Sequence, residues 1–154
     1  METCPTVLRD KAAGRLPLLA QSHLRLTGRP LVADAADPAA ALWTAPLVIV
    51  AHDTAPDPIF FFGNRRALAL FETTPEDFTA LPSRLSAEAE LREERARLMA
   101  RVTRDGFIDD YSGIRISATG RRFRIHRATV WNLVDAAGHL HGQAAAFSDW
   151  TKLA

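Results

Sequence analysis

The last third of the chain, Phe107 to Thr151, reads as three consecutive strands. Thr119-Gly120 closes a first run rich in β-branched and aromatic residues, and Asp135-Ala136-Ala137-Gly138 closes a second. Two tight, Gly-marked turns between three such runs predict an antiparallel meander. Placed last in a small chain, that meander narrows the fold sharply and the chemistry much less.

Upstream, Leu16, Leu19, His23 and Leu26 recur at helical spacing, Pro17 suits a first turn, and Gly28-Arg29-Pro30 stops the helix. This short amphipathic helix is expected to lie outside the later core, and Val32 to Asp37 to be a loop. Asp37-Pro38 reads as a cap followed by Pro at the first helical position, opening a helix through Leu42 and Trp43 that ends before Pro46. LVIVAH (Leu47 to His52) and IFFF (Ile59 to Phe62) are apolar runs of strand length, joined into a hairpin by the turn Asp53 to Pro58. Asn64 can cap a short helix bearing Leu68, Leu70 and Phe71.

Thr74-Pro75-Glu76-Asp77 opens a further helix, with a cap, a proline and acids in the first turn; it carries Phe78 and Leu81 and stops at Pro82. Ser86 opens the longest helix, through about Arg104, with Leu91, Leu98 and Val102 as its inner stripe and Glu93/Arg97 as an i,i+4 pair. The order of elements predicts an α+β domain. Its five-stranded antiparallel sheet is covered on one face by helices, with an extra N-terminal helix.

Composition excludes several classes of function. The 19 basic and 18 acidic residues leave a net charge of +1, which argues against a dedicated nucleic-acid surface. No apolar run approaches the roughly 18 residues needed to span a membrane. Leu16 to Ala20 is too short for the core of a signal peptide, so a cytoplasmic protein is expected. The single cysteine, Cys4, excludes an internal disulfide and a multi-cysteine metal cluster, and it reads as a free thiol on a frayed terminus.

The stretch GRRFRIHRATVWNLVDAAGHLHGQAAAFSDWT has a Gly-led strand, an Asp-x-x-Gly turn, a last strand and the ending Asp149-Trp150-Thr151. It resembles the closing half of a PAS domain. FFFGNRRALALFE puts Asn64 at the strand-to-helix asparagine of that fold. More specifically, APLVIVAH, DPIFFFGNRRALALFE, LPSRLSAE, REERARL and GFIDDYSGIRIS together resemble the MEKHLA domain. That is a PAS-related family of small bacterial proteins, also found at the C-terminus of some plant homeodomain transcription factors. The resemblance covers about Leu31 to Trp150. It implies a PAS-like fold over 31–154, preceded by a helical segment, 1–30, that serves dimerisation or acts as a cap. It also implies a sensory or regulatory role, with a cavity between sheet and helices and no established ligand.

Each well-known cofactor of PAS-like domains needs particular residues. A flavin photoreceptor of the light-oxygen-voltage type needs a cysteine just after the Asn-led turn, here Gly63-Asn64-Arg65-Arg66, and the one cysteine is Cys4. A thioester-linked chromophore meets the same obstacle. A haem sensor usually takes an axial histidine from the long helix, and Ser86 to Arg104 contain none. His139 and His141 share a strand face beside a turn, but two histidines fall short of the usual three or four ligands and read as a solvated pair. No cofactor and no metal are expected, which leaves a non-covalent small ligand or none.

Regular alternation in the fourth strand puts Phe123, Ile125, Arg127, Thr129, Trp131 and Leu133 on one face. Arg127 is the charge on that apolar face. Directed inward, it needs a carboxylate or an anionic ligand; at a strand end it snorkels to solvent or pairs with Asp109 or Asp110. Gln143, Ala145 and Phe147 share a face of the last strand. Tyr111 points inward unless a bulge at Gly113 flips the phase. The ligand-binding candidates are therefore Arg127, Trp131, Tyr111, Gln143 and Asn64. His126 is expected to face outward and His23 to sit in a helix interface, while Arg65, Arg66, Arg121, Arg122 and Arg124 read as solvated surface.

No G-x-S-x-G, H-E-x-x-H or Gly-rich phosphate loop is present. The expectation is a sensory or regulatory module, not an enzyme, that forms a homodimer through its N-terminal helix and the sheet and binds a small ligand or a protein partner. Two alternatives stay open. One is a small cone-fold enzyme of isomerase or hydrolase type with His52 or Asp109 as pocket base. The other is a pure dimerisation or docking module, with the Leu16/Leu19/Leu26 stripe and the sheet as its sole working surfaces. Because the sequence stops shortly after Thr151, the sensory reading carries the expectation of a separate effector protein.

Overall fold

The computed structural model describes residues 3–33, 36–87 and 92–154. Helices α1 (Thr6–Ala12), α2 (Leu16–Thr27) and α3 (Pro38–Trp43) precede the hairpin β1 (Val48–His52) and β2 (Phe60–Gly63). Then come α4 (Arg65–Phe71), α5 (Pro75–Phe78), a 3₁₀ turn (Ser83–Ser86) and α6 (Arg92–Asp105). The chain closes with β3 (Phe107–Ile116), β4 (Arg122–Val134), β5 (Leu140–Phe147) and β6 (Asp149–Lys152). The strands form one antiparallel sheet in the order β2-β1-β5-β4-β3, and β6 pairs with β4 beside that path. The α+β class and the closing meander are as expected; the sheet gains a sixth strand.

The extra strand explains the shape of β4. Phe123 to His126 pair with β6, whereas Thr129 to Val134 pair with β5. Between the two segments stands Arg127, with φ 51, in left-handed backbone. An extra residue in β4 opposite Tyr111 and Gly113 marks this as a bulge. Alternation therefore changes phase there. Phe123 and Ile125 share a face with Ala128 and Val130, not with Thr129 and Trp131.

Both faces of the sheet are covered. Val130 and Val102 line one cavity, so Val130 faces α6. Its neighbour Trp131 points the other way, and its indole Nε1 donates to the Leu19 carbonyl of α2 at 3.2 Å. The Ser22 hydroxyl donates to the Val134 carbonyl and accepts from the Val134 amide, each at 3.0 Å, so α2 also caps the end of β4. His23 packs edge-on against Trp131, with ring centroids 4.8 Å apart.

The N-terminal helix is thus no appendage. Leu8, Ala12, Leu16 and Leu19 are buried in the same core as the sheet, and α1, absent from the sequence reading, supplies the first two. Leu8 and Leu19 are fully buried, each stabilising the domain by roughly 1.5–3 kcal/mol. Cys4, expected on a frayed end, is buried in that core too.

Three caps read from the sequence form as expected, with Asp37, Asn64 and Thr74 side chains accepting from Ala40, Ala67 and Asp77 amides. Ser86 does not start α6. It ends the 3₁₀ turn, its hydroxyl donating to the Ser83 carbonyl at 2.7 Å, and Ala87 after it is extended. Leu91 of the expected stripe lies outside the described residues; Val102 is fully buried and Leu98 partly so. Among the described residues no helix is long and apolar enough to cross a membrane.

Candidate functional site

Between the sheet and α6 lies a cavity of about 60 Å³. Its walls are largely apolar: Val50 from β1, Phe60 from β2, Val130 from β4, Ala145 from β5, and Leu98 and Val102 from α6. The polar groups around it are few. They include Tyr111 and Arg115 of β3, Gln143 of β5, His52 at the end of β1 and Ser86 of the 3₁₀ turn.

Arg115 is the residue that the sequence reading missed. Its guanidinium carbon lies 5.2 Å from the Tyr111 ring centroid, over the ring. Its side chain also donates to the Ile114 carbonyl at 3.4 Å. The residue is half-buried, and burial pulls its pKa below the ordinary arginine value. The available signal was spacing: Tyr111, Gly113 and Arg115 recur at every second residue.

Tyr111 is buried at the cavity, as one of the two sequence alternatives had it. Register shifts flank it on both sides. Gly113 makes its pose attainable, because a Cβ added there would stand 2.2 Å from the Tyr111 hydroxyl oxygen. Gln143 also lines the cavity, and its Nε2 donates to Asn132 Oδ1 at 3.0 Å. Asn132 Nδ2 in turn donates to the Val102 carbonyl of α6 at 3.0 Å. A chain of two amides thereby links the cavity wall to the covering helix.

Arg127 is corrected. The bulge turns it outward, its side chain is 80% exposed, and it pairs with Asp149 at 2.8 Å, not with Asp109 or Asp110. Trp131 is also corrected: it lies on the opposite face of the sheet, beneath α2. Both errors share one cause, a single left-handed residue that strict alternation cannot register.

Asn64 is fully buried and stands apart from the cavity lining. Its Oδ1 accepts from the Ile49 and Ala67 amides, and its Nδ2 donates to the Leu42 and Leu47 carbonyls. It pins α3, β1 and α4 together. Of the two bases considered for an enzyme, Asp109 is an exposed partner of Arg29, 3.5 Å away. His52 is at the cavity, with Nδ1 donating to the Asp53 carbonyl at 2.9 Å.

His139 Nδ1 and His141 Nε2 converge on one oxygen of Asp135, at 3.3 and 2.9 Å. Those contacts lower the Asp135 carboxyl, His141 most of all, and the amides of His139 and Ala137 add to the effect. Among the described residues no group of three or more His, Cys, Asp or Glu side chains is disposed to hold a metal ion. A second, wider depression of about 630 Å³ lies beside β6, floored by Leu70, Phe123 and Trp150 and edged by Arg66, Arg121 and Lys152.

The fold is shared with several solved structures. The PAS domain of a protein from Colwellia psychrerythraea superposes with a TM-score of 0.62 at 14% identity, over 71% of this chain and 90% of that one. A light-oxygen-voltage domain studied with a flavin analogue gives 0.59 at 16% identity, over 74% and 82%. The light-state dimer of the fungal blue-light photoreceptor Vivid gives 0.58 at 10% identity, over 84% and 92%. No curated protein sequence shows significant similarity to the chain. The family model described as the MEKHLA domain matches residues 14–152, nearly the whole sequence. With that extent of match, on a chain of this fold, the protein belongs to the MEKHLA domain family.

Proposed function

We propose that the protein is a sensory module that takes a small non-covalent ligand into the cavity between the sheet and α6, and that occupancy alters how α6 is held. The observation that carries this reading is the amide chain Gln143–Asn132–Val102. It runs from the cavity wall to the helix backbone, so a ligand that moves Gln143 also disturbs a hydrogen bond on α6. The output then passes to a separate protein partner.

The alternatives have less support. The α2 stripe invoked for dimerisation is already used within the chain, with Leu16 and Leu19 buried on the protein's own sheet. A homodimer would need another surface. For an enzyme, His52 alone of the two candidate bases stands at the cavity. A flavin has less support: the cavity, at about 60 Å³, is far below the roughly 300–1,000 Å³ typical of pockets for drug-sized molecules, and no cysteine stands in its lining for adduct photochemistry.

Thermal denaturation against a broad panel of small metabolites, charged and neutral, tests this reading. A ligand at 100 times its Kd adds about 2.7 kcal/mol, roughly 5–10 °C in Tm for a domain of this size. Ala145→Leu, which fills the cavity, should abolish the shift. The reading fails if no compound raises Tm, or if the filled variant responds equally.

A further inference from the structure

Arg115 is at odds with its surroundings. A guanidinium offers five N–H donors in a planar fork. Here, among the described residues, it lies over the Tyr111 ring and donates to the Ile114 carbonyl at 3.4 Å. Among the described residues no carboxylate pairs with it. Acids are not scarce: Asp57, Asp110 and Asp149 each hold an arginine, but outside, at Arg84, Arg101 and Arg127. The arginine at the cavity faces Phe60, Leu98, Val102 and Ile125 instead. A cation placed against apolar walls without a counter-charge is unfavourable, and such groups are normally paired.

We propose that the cavity is a binding site for a small carboxylate, held through its two oxygens by Arg115 with the Tyr111 hydroxyl as a further donor. This rests on the sensory reading and names the ligand's chemical class. The planar fork of Arg115 matches a carboxylate in a two-bond arrangement. The remaining walls take an alkyl tail, and about 60 Å³ limits that tail to a few carbon atoms. Phosphate suits the site less well. It brings more charge to a single cation, and it leaves the apolar walls without a partner.

The test uses the full chain and four probes: propionate, propionamide, inorganic phosphate and a neutral short alcohol. Binding is followed by calorimetry and thermal shift at constant ionic strength. Propionate should bind at least about 30-fold more tightly than propionamide, which is isosteric but uncharged. Arg115→Gln should remove that preference, and Arg115→Lys should retain only part of it, because an ammonium cannot form the fork. Without ligand, Arg115→Gln should melt at or a few degrees above the parent temperature, since a charge with no carboxylate partner among the described residues has gone. The double variant Arg121→Gln/Lys152→Gln, at the basic edge of the wider depression, should leave the affinity unchanged.

Equal binding of propionate and propionamide overturns the proposal. So does propionate binding that follows Arg121 and Lys152 rather than Arg115, stronger binding of phosphate, or a large fall in the melting temperature of ligand-free Arg115→Gln, which would mark Arg115 as structurally paired. If the alcohol binds in the cavity and propionate does not, the carboxylate proposal falls alone. If nothing in a wide panel binds there, the sensory reading falls with it.

Discussion

The indole of Trp131 donates to the backbone carbonyl of Leu19 at 3.2 Å, tying α2 to the sheet face opposite the cavity. The N-terminal segment is thereby part of the core. Deleting residues 1–28 should expose Trp131 and Leu133 and yield an aggregating or molten chain, seen as lost near-ultraviolet circular dichroism. Leu19→Ala should cost about 2–5 kcal/mol in urea unfolding, whereas Leu24→Ala, at a residue 51% exposed, should change stability by less than about 0.5 kcal/mol. Equal, small effects at both positions would mean that α2 is dispensable.

Asn64 is expected to be a stability residue with no role in binding. Its side chain satisfies two amides and two carbonyls inside the fold. Asn64→Ala should cost about 2–4 kcal/mol, combining a lost helix cap with buried groups left unpaired. Asn64→Asp should be as harmful, because a carboxylate in place of Nδ2 would face the Leu42 and Leu47 carbonyls. Chemical denaturation measures both.

Two glycines should separate strain from positioning. At Gly142, with φ 145, a Cβ would stand 2.1 Å from the backbone carbonyl oxygen of His52, which cannot move without breaking the β1–β5 pairing. Gly142→Ala should cost at least about 2 kcal/mol. At Gly113 the obstructing atom is the tip of the Tyr111 side chain, which can swing aside. Gly113→Ala should therefore fold with a smaller loss, while weakening carboxylate binding by displacing the Tyr111 ring from the Arg115 guanidinium. A stability loss as large as that of Gly142→Ala would contradict this placement of Tyr111.

Acid should destabilise the fold in two separate windows. Burial lowers the His23 pKa below its ordinary value near 6.5, so the unfolded chain binds the proton more readily. Stability is then full above about pH 6.5 and declines as pH falls toward the folded value. The hydrogen bonds from His141 and from the His139 and Ala137 amides depress the Asp135 carboxyl, so its contribution is present above about pH 4 and lost below it. Denaturation midpoints across pH 3 to 8 should show the first limb flattened by His23→Gln and the second by Asp135→Asn.

The parts of the fold that were legible in the sequence are those that local rules govern. The meander follows from its two turns, and the caps at Asp37, Asn64 and Thr74 follow from short-range hydrogen bonding. What escaped depended on contacts between distant residues. The left-handed Arg127 arises where β4 exchanges β6 for β5, and no local pattern announces that exchange. Once the phase is reversed, Arg127 and Trp131 leave the candidate site, and Val130 and Ala128 take their place at the cavity. Arg115 was overlooked because the phase of β3 depends on the two shifts around Tyr111, which only the pairing with β4 reveals. Accordingly, Arg127→Ala should leave ligand affinity unchanged within about twofold.

The cavity between the sheet and α6 is tested most directly by a two-dimensional amide NMR titration with propionate, run on the parent and on Ala145→Leu. Saturable shifts are expected at Tyr111, Arg115 and Gln143, continuing through Asn132 to Val102 and along α6, and absent from the filled variant. Shifts centred instead on Trp150 and Lys152 in the wider depression, or the same response after the cavity is filled, would contradict it.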